Sequence, residues 1–176
     1  MTWTPTERSR HGGVDEVPLP GTTGRLWLCG KHYVGPDPDA ALAATGAAAV
    51  VCLNQRHELE DRYPDYVRWL EAEAPSRAHW HPVPDLGAPA PDAADALVGE
   101  LRRRLDAGDG LLVHCGAGIG RAGTVAAAVL LDLGLGLDEA LALVRAHRPM
   151  AGPEAGTQRD LLAALAARGP SRGRGA

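Results

Sequence analysis

An α/β three-layer sandwich, with a mostly parallel central sheet of four to five strands flanked by helices, is the fold this sequence predicts. Three observations predict it. Short apolar runs alternate with longer amphipathic stretches. The stretches between the runs are long enough to be crossover helices, which parallel strands require. Past residue 115 only helical patterns follow, so the last helices must pack on the sheet. The 176 residues, 45% of them hydrophobic, suffice for one domain with a real core, built without any Phe.

In chain order, residues 1–24 are rich in Thr, Pro, Gly and charge and are expected to form a flexible segment ahead of a domain spanning 25–168. Arg25–Cys29 reads as the first strand, 48–53 as the second, His79–Val83 as the third and Gly110–His114 as the fourth. Pro38–Thr45 is a helix stopped by Gly46. Residues 63–74, opened by Pro64 and closed by Pro75, form another. A third covers Asp92–Leu105, with Ala93, Ala96, Leu97, Leu101 and Leu105 on one stripe and Asp92 as the expected N-cap. Helices at 122–133, 137–147 and 158–168 complete the domain, and 169–176 is a flexible tail.

Composition excludes several classes of function. A net charge of −4 without a basic block argues against a nucleic-acid partner. Three cysteines, at 29, 52 and 115, with no C-x-x-C pair suggest neither a disulfide framework nor a zinc site. No apolar stretch reaches the length of a membrane span, and the first residues lack a signal-peptide pattern. A cytoplasmic monomer without a metal or cofactor is the expectation.

The most informative segment is His114-Cys115-Gly116-Ala117-Gly118-Ile119-Gly120-Arg121-Ala122-Gly123-Thr124, between a buried strand and an Ala-rich helix. Its glycines let successive N–H groups converge on one point, and the helix N-terminus adds partial positive charge there. Cys115 opens this anion cradle, where the dipole and Arg121 favour a thiolate. Arg121 returns across the loop with a guanidinium that grips two phosphate oxygens as a fork. Cys and Arg therefore bracket one phosphoryl group.

This His-Cys-x5-Arg segment resembles the signature of the cysteine-dependent protein tyrosine phosphatase superfamily, and the chain looks most like its small dual-specificity branch. The likeness covers about residues 25–168 and implies a phosphotyrosine-phosphatase-like sandwich. It implies that Cys115 is the nucleophile, that Arg121 is the phosphate clamp and that Gly116, Ala117, Gly118, Ile119 and Gly120 bind phosphate through their amides. His114 would support the loop and favour the thiolate. Asp85, in Pro82-Val83-Pro84-Asp85 after the third strand, resembles the family's general acid, held over the loop by the prolines. Gln158 resembles a glutamine that positions water in some members, against the plainer reading that it starts the last helix. Arg56 and Glu58 look like a structural ion pair. Cys52 is read as a core residue, with a reversible disulfide to Cys115 as the alternative.

The implied activity is phosphomonoester hydrolysis through a phosphocysteine, on a phosphorylated protein or a small phosphomonoester. One position departs from the pattern: Ala122 stands where the family usually carries Ser or Thr. That leaves open a module that binds phosphate with little turnover. A rhodanese-like sulfur transferase fits less well, because its loop is typically one residue shorter.

Overall fold

The strands Arg25–Gly30 (β2), Ala49–Cys52 (β3) and Gly110–Cys115 (β5) form the parallel heart of the sheet, as their uninterrupted apolar runs require. The computed structural model describes residue 8 and residues 10–170. Val14–Val17 (β1) and Ala78–Trp80 (β4) complete a five-stranded sheet of order β1-β2-β5-β3-β4, in which only β1 is antiparallel. Strand β5 sits at the centre, paired with β2 from Arg25↔Gly110 to Gly30↔Cys115 and with β3 from Ala49↔Leu111 to Cys52↔His114. The loop after β5 therefore leaves the C-terminal edge of the sheet at its middle, where open α/β sheets place their sites.

Helices cover both faces. Lys31–Val34 (α1), Pro38–Thr45 (α2) and Pro64–Glu73 (α3) pack one side, with Tyr66 and Leu70 wholly buried among Cys29, Val50, Cys52 and Leu112. Pro91–Asp106 (α4), Gly120–Asp132 (α5), Leu137–His147 (α6) and Gly156–Arg168 (α7) pack the other, around Leu28, Val51, Leu111 and Val113. Every residue of α5 is buried, its polar Arg121, Thr124 and Asp132 included. Burial of one face by each element supplies the main stabilisation.

The predicted sandwich is the observed one, with corrections at several ends. Strand β1 lies inside the segment expected to be flexible. It escaped the sequence pattern because its four residues carry Asp15 and Glu16, charges suited to an exposed edge. The strand expected over 79–83 stops at Trp80, because Pro82 and Pro84 offer no N–H to a ladder. Asp92 is not the N-cap of α4. Ala90 is the cap and Pro91 the first helical residue, which puts Asp92 two residues past the cap, in the first turn. Helix α5 begins two residues earlier than expected and takes in Arg121, while α7 begins at Gly156, so Gln158 lies in its first turn. Most of the expected tail, 171–176, and residues 1–7 and 9 lie outside the described residues.

Candidate active site

Cys115 is the last residue of β5 and Gly120 the first of α5, so residues 116–119 form the whole turn between them. All the carbonyls from 116 to 120 are bonded away from the turn. Gly116 O accepts from Lys31 N at 3.1 Å, and Ile119 O from Gly123 N at 2.9 Å and Gly152 N at 3.2 Å. Arg148 Nη2 donates to Ala117 O at 2.8 Å and its Nε to Gly118 O at 2.7 Å, while Thr124 Oγ1 donates to Gly120 O at 2.7 Å. None of the N–H groups of residues 116–120 donates to the protein among the described residues. Carbonyls bonded outward leave the amides to an anion.

Gly118 is what lets the turn close. Its φ is +73°, and a Cβ there would fall 2.2 Å from Cys29 O, so both conformation and space demand glycine.

Arg121 is buried and its donors can be accounted for. Nη1 donates to Glu58 Oε2 and to Val83 O, both at 2.8 Å; Nη2 donates to Glu58 Oε1 at 2.8 Å and meets Asp85 Oδ1 at 3.1 Å. Five N–H groups minus these leave Nε–H, and the Nη2 proton now on Asp85, for an incoming oxyanion. Burial alone would raise Glu58, but hydrogen bonds from Arg121, Gln55 N–H and Asn54 hold its carboxyl down at about 2. Glu58 thus stays ionised and fixes the guanidinium. The ion pair expected between Arg56 and Glu58 is absent, because Arg56 reaches Glu71 instead.

Asp85 stands at the mouth, its side chain 74% exposed, on a loop whose Val83 carbonyl is bonded to Arg121. The same loop is held from α7. Thr157 Oγ1 donates to Leu86 O at 3.2 Å and Gln158 Nε2 to Gly87 O at 3.1 Å. Gln158 is fully buried, and its Oε1 accepts from Glu154 N at 2.7 Å. Both ends of this amide are therefore spent on backbone, and the structure places Gln158 behind the loop that carries Asp85.

His114 lies on the sheet face opposite Cys115, beside Tyr66, whose hydroxyl is 2.6 Å from Nε2. Burial lowers the imidazole to about 3, Arg121 and Lys31 add to this, and the Cys115 backbone pulls the other way. A neutral ring accepting the Tyr66 hydroxyl fits that environment. The disulfide alternative for Cys52 fails on the same geometry. Cys52 is in register with His114 and packs on the Tyr66 face, away from Cys115, and all three cysteines are free.

Two supports went unread in the sequence. Arg148, buried behind the turn, pairs with Asp15 of β1 at 2.7 Å, 133 residues away in the chain. Lys31 donates from Nζ to Glu58 O at 2.8 Å, linking β2's exit to the Arg121 clamp. Nothing local in the sequence shows that the Arg148 guanidinium turns back under the loop.

One group among the described residues has metal-ligand types: His79, His81 and Glu100, with ligand atoms within 4.8 Å of one another. His79 is already saturated, because Nδ1 meets Glu100 at 2.6 Å and Nε2 accepts from Arg104 at 2.7 Å. Metallation at Nδ1 would put an N–H at Nε2, against the Arg104 N–H.

The sequence profile of the family described as "Swiss Army Knife protein, DSP-PTPase phosphatase domain" matches residues 29–167. The chain belongs to this family. By that membership it is a cysteine-dependent phosphatase domain of the dual-specificity type, a hydrolase whose substrates are phosphorylated. Dual specificity protein phosphatase 22-B of Danio rerio is 46% identical over 55 residues, 31% of this chain and 30% of the relative. The match thus spans under a third of that relative's length. The crystal structure of Tk-PTP in its active form is 28% identical, with a TM-score of 0.68, covering 87% of this chain and 97% of that one. Kinase associated phosphatase, with serine substituted for its catalytic cysteine, shares the fold at a TM-score of 0.75 and 23% identity, over 89% and 94% of the two chains. No helix among the described residues is long and apolar enough to cross a membrane.

Proposed function

We propose that this family member hydrolyses phosphomonoesters through a phosphocysteine on Cys115, accepting phosphotyrosine and the shorter phosphoserine and phosphothreonine. The observation that carries this reading is the turn itself: five carbonyls bonded outward and their amides left over, with a cysteine at one end and a bidentate-held arginine at the other. Such preorganised donors stabilise the charge of a transferring phosphoryl group.

The Cys115 sulfur attacks phosphorus in line, the S–P bond forms and the P–O bond to the leaving group breaks. Asp85 gives its proton to the departing oxygen. The Asp85 carboxylate then takes a proton from water, the water oxygen attacks phosphorus, and the S–P bond breaks to return the thiolate and free phosphate. The Asp85 carboxylate rests on Arg121 Nη2, the donor that phosphate would claim, so substrate binding displaces the acid toward the leaving group. Glu58 keeps the guanidinium in place throughout.

Ala122 removes the hydroxyl that would ease thiolate departure in the second step. Thr124 does not replace it, because its Oγ1 is committed to Gly120 O. Hydrolysis of the phosphocysteine is therefore the slow step. This same residue favours the second reading, a phosphate-binding module with little turnover.

Release of p-nitrophenol from p-nitrophenyl phosphate near pH 6, in chelator, separates the two. Turnover lost in Cys115→Ser and cut about 10²–10⁴-fold in Asp85→Ala supports the hydrolase. Tight phosphate binding without turnover supports the binding module.

A further inference from the structure

Two carbonyls of the turn end on one buried guanidinium. Arg148 Nη2 donates to Ala117 O at 2.8 Å and its Nε to Gly118 O at 2.7 Å. In a trans peptide the C=O and the N–H that follows it point opposite ways. Holding these two carbonyls outward therefore aims the N–H groups of Gly118 and Ile119 into the turn. That aim is most easily lost at Gly118, because glycine lets the backbone on either side of it rotate.

What holds Arg148 comes from the other end of the chain. Asp15 Oδ2 accepts from Arg148 Nη1 at 2.7 Å, whereas the contacts of Nη1 with Gly13 O and Leu28 O are 3.4 Å long. Sheet register puts the carboxylate there: β1 runs antiparallel to β2 with Asp15 opposite Leu28 and Val14 opposite Cys29, the residue whose carbonyl presses on Gly118. Arg8 also reaches Asp15, Nη2 to Oδ1 at 2.7 Å, but its side chain is 42% exposed and such a pair adds little. Strand β1 precedes residues 29–167, over which the family profile matches, so this contact ties the matched domain to a strand ahead of it.

We propose that Asp15 is a positioning residue for the reaction: it fixes Arg148 and, through Arg148, the direction of the Gly118 and Ile119 amides toward the phosphoryl group. The proposal rests on the phosphatase reading above and adds to it a residue that touches neither substrate nor Cys115. The sign of its effect on a bound anion separates this role from two others. A carboxylate acting through space alone repels the anion, so its removal would tighten binding. A carboxylate serving only the fold would leave anion affinity unchanged in a folded chain. Loss of a positioning carboxylate weakens binding, because the amides lose their aim.

The test is titration calorimetry of the full chain with tungstate, a tetrahedral oxyanion shaped like phosphate, beside kcat and KM for p-nitrophenyl phosphate. The variants are Asp15→Asn, Arg8→Ala and Glu16→Gln. Asp15→Asn is expected to weaken tungstate about tenfold or more and to lower kcat more than it raises KM, since the amides act most strongly on the transition state. Arg8→Ala removes the exposed partner of Asp15, and Glu16→Gln removes the next acid on β1, which is bonded to Arg25; both are expected to stay within about twofold of the parent. Tungstate bound equally well or more tightly by folded Asp15→Asn overturns the proposal, and so does an equal loss in Glu16→Gln. Where Asp15→Asn does not fold, Asp15→Glu, which keeps the charge and moves it by one methylene, is read by the same criteria: weaker tungstate and a lower kcat support the proposal, and parent values for both overturn it. Absence of turnover in the unsubstituted chain removes the phosphatase reading, and tungstate affinity then decides the role of Asp15 alone. No binding of tungstate to the unsubstituted chain overturns both.

Discussion

The turn at 116–120 and the loop around Asp85 meet at Arg121, yet they are held in opposite ways. The turn is backed by buried charge: Arg148 under two carbonyls with Asp15 behind it, Glu58 under the clamp, and glycine where Cys29 O presses close. The Asp85 loop is anchored by neutral hydrogen bonds from Thr157 and Gln158 and by one ion pair whose acid is largely solvent-exposed. Exposed pairs of that kind are worth little, whereas breaking a buried one leaves an uncompensated charge. The contrast amounts to a division of labour. On the proposed phosphatase reading, the turn is the preorganised phosphate cradle and the Asp85 loop is the part left to move with the leaving group.

The largest effect is expected where the rigid side loses a charge. Glu58→Ala leaves Arg121 buried without its carboxylate and should destabilise the fold by about 3–5 kcal/mol, read as a lower denaturant midpoint, with kcat/KM falling alongside. Unchanged stability would mean that the clamp does not depend on its backing.

Acid should weaken the rigid side next. Glu58 is held at about 2, below its ordinary 4.5, so the stability it contributes is full above about 4.5 and is lost as pH falls toward 2. His114 is lowered to about 3 from 6.5, so between those values the unfolded chain binds the extra proton and stability again falls with acidification. The thermal midpoint should therefore drop steadily from pH 7 to pH 3. Tyr66→Phe, which removes the hydroxyl facing Nε2, should lower the whole curve by about 1–3 kcal/mol. A flat profile over this range would contradict the buried neutral imidazole.

The smallest effect is expected on the movable side. Thr157→Val removes one hydrogen bond to Leu86 O and should cost about 0.5–1.5 kcal/mol at most. Its signature is kinetic: a change in the rate of leaving-group departure for substrates with poor leaving groups, and little for p-nitrophenyl phosphate, whose leaving group needs less protonation. Equal losses on both would show that the two loops form one rigid unit.

What the sequence revealed follows the same division. Cys115, Arg121 and the glycines are contiguous in the sequence and the structure sets them on one turn between β5 and α5, while Asp85, marked by neighbouring prolines, comes to lie against Arg121. The supports are not contiguous. Glu58 and Arg121 are 63 residues apart, Asp15 and Arg148 are 133, and each pair exists only once the sheet has assembled in the order β1-β2-β5-β3-β4. Strand β1 hid for a related reason: Asp15 and Glu16 weaken its strand pattern, and Asp15 is the residue that holds Arg148. Gln158 was legible as a residue of interest but not in its placement, since its amide is spent on Glu154 N and Gly87 O.

On the proposed mechanism a phosphoryl group passes through Cys115 and lingers there because Ala122 offers no hydroxyl. The most direct measurement is rapid mixing with p-nitrophenyl phosphate, recording p-nitrophenol release while acid-quenched samples are weighed by mass spectrometry. A burst approaching one equivalent per chain, with a phosphate's mass on Cys115 and both reduced in Ala122→Ser, is the predicted result. Linear release without a burst, and no phosphate on Cys115 at any time, would contradict it.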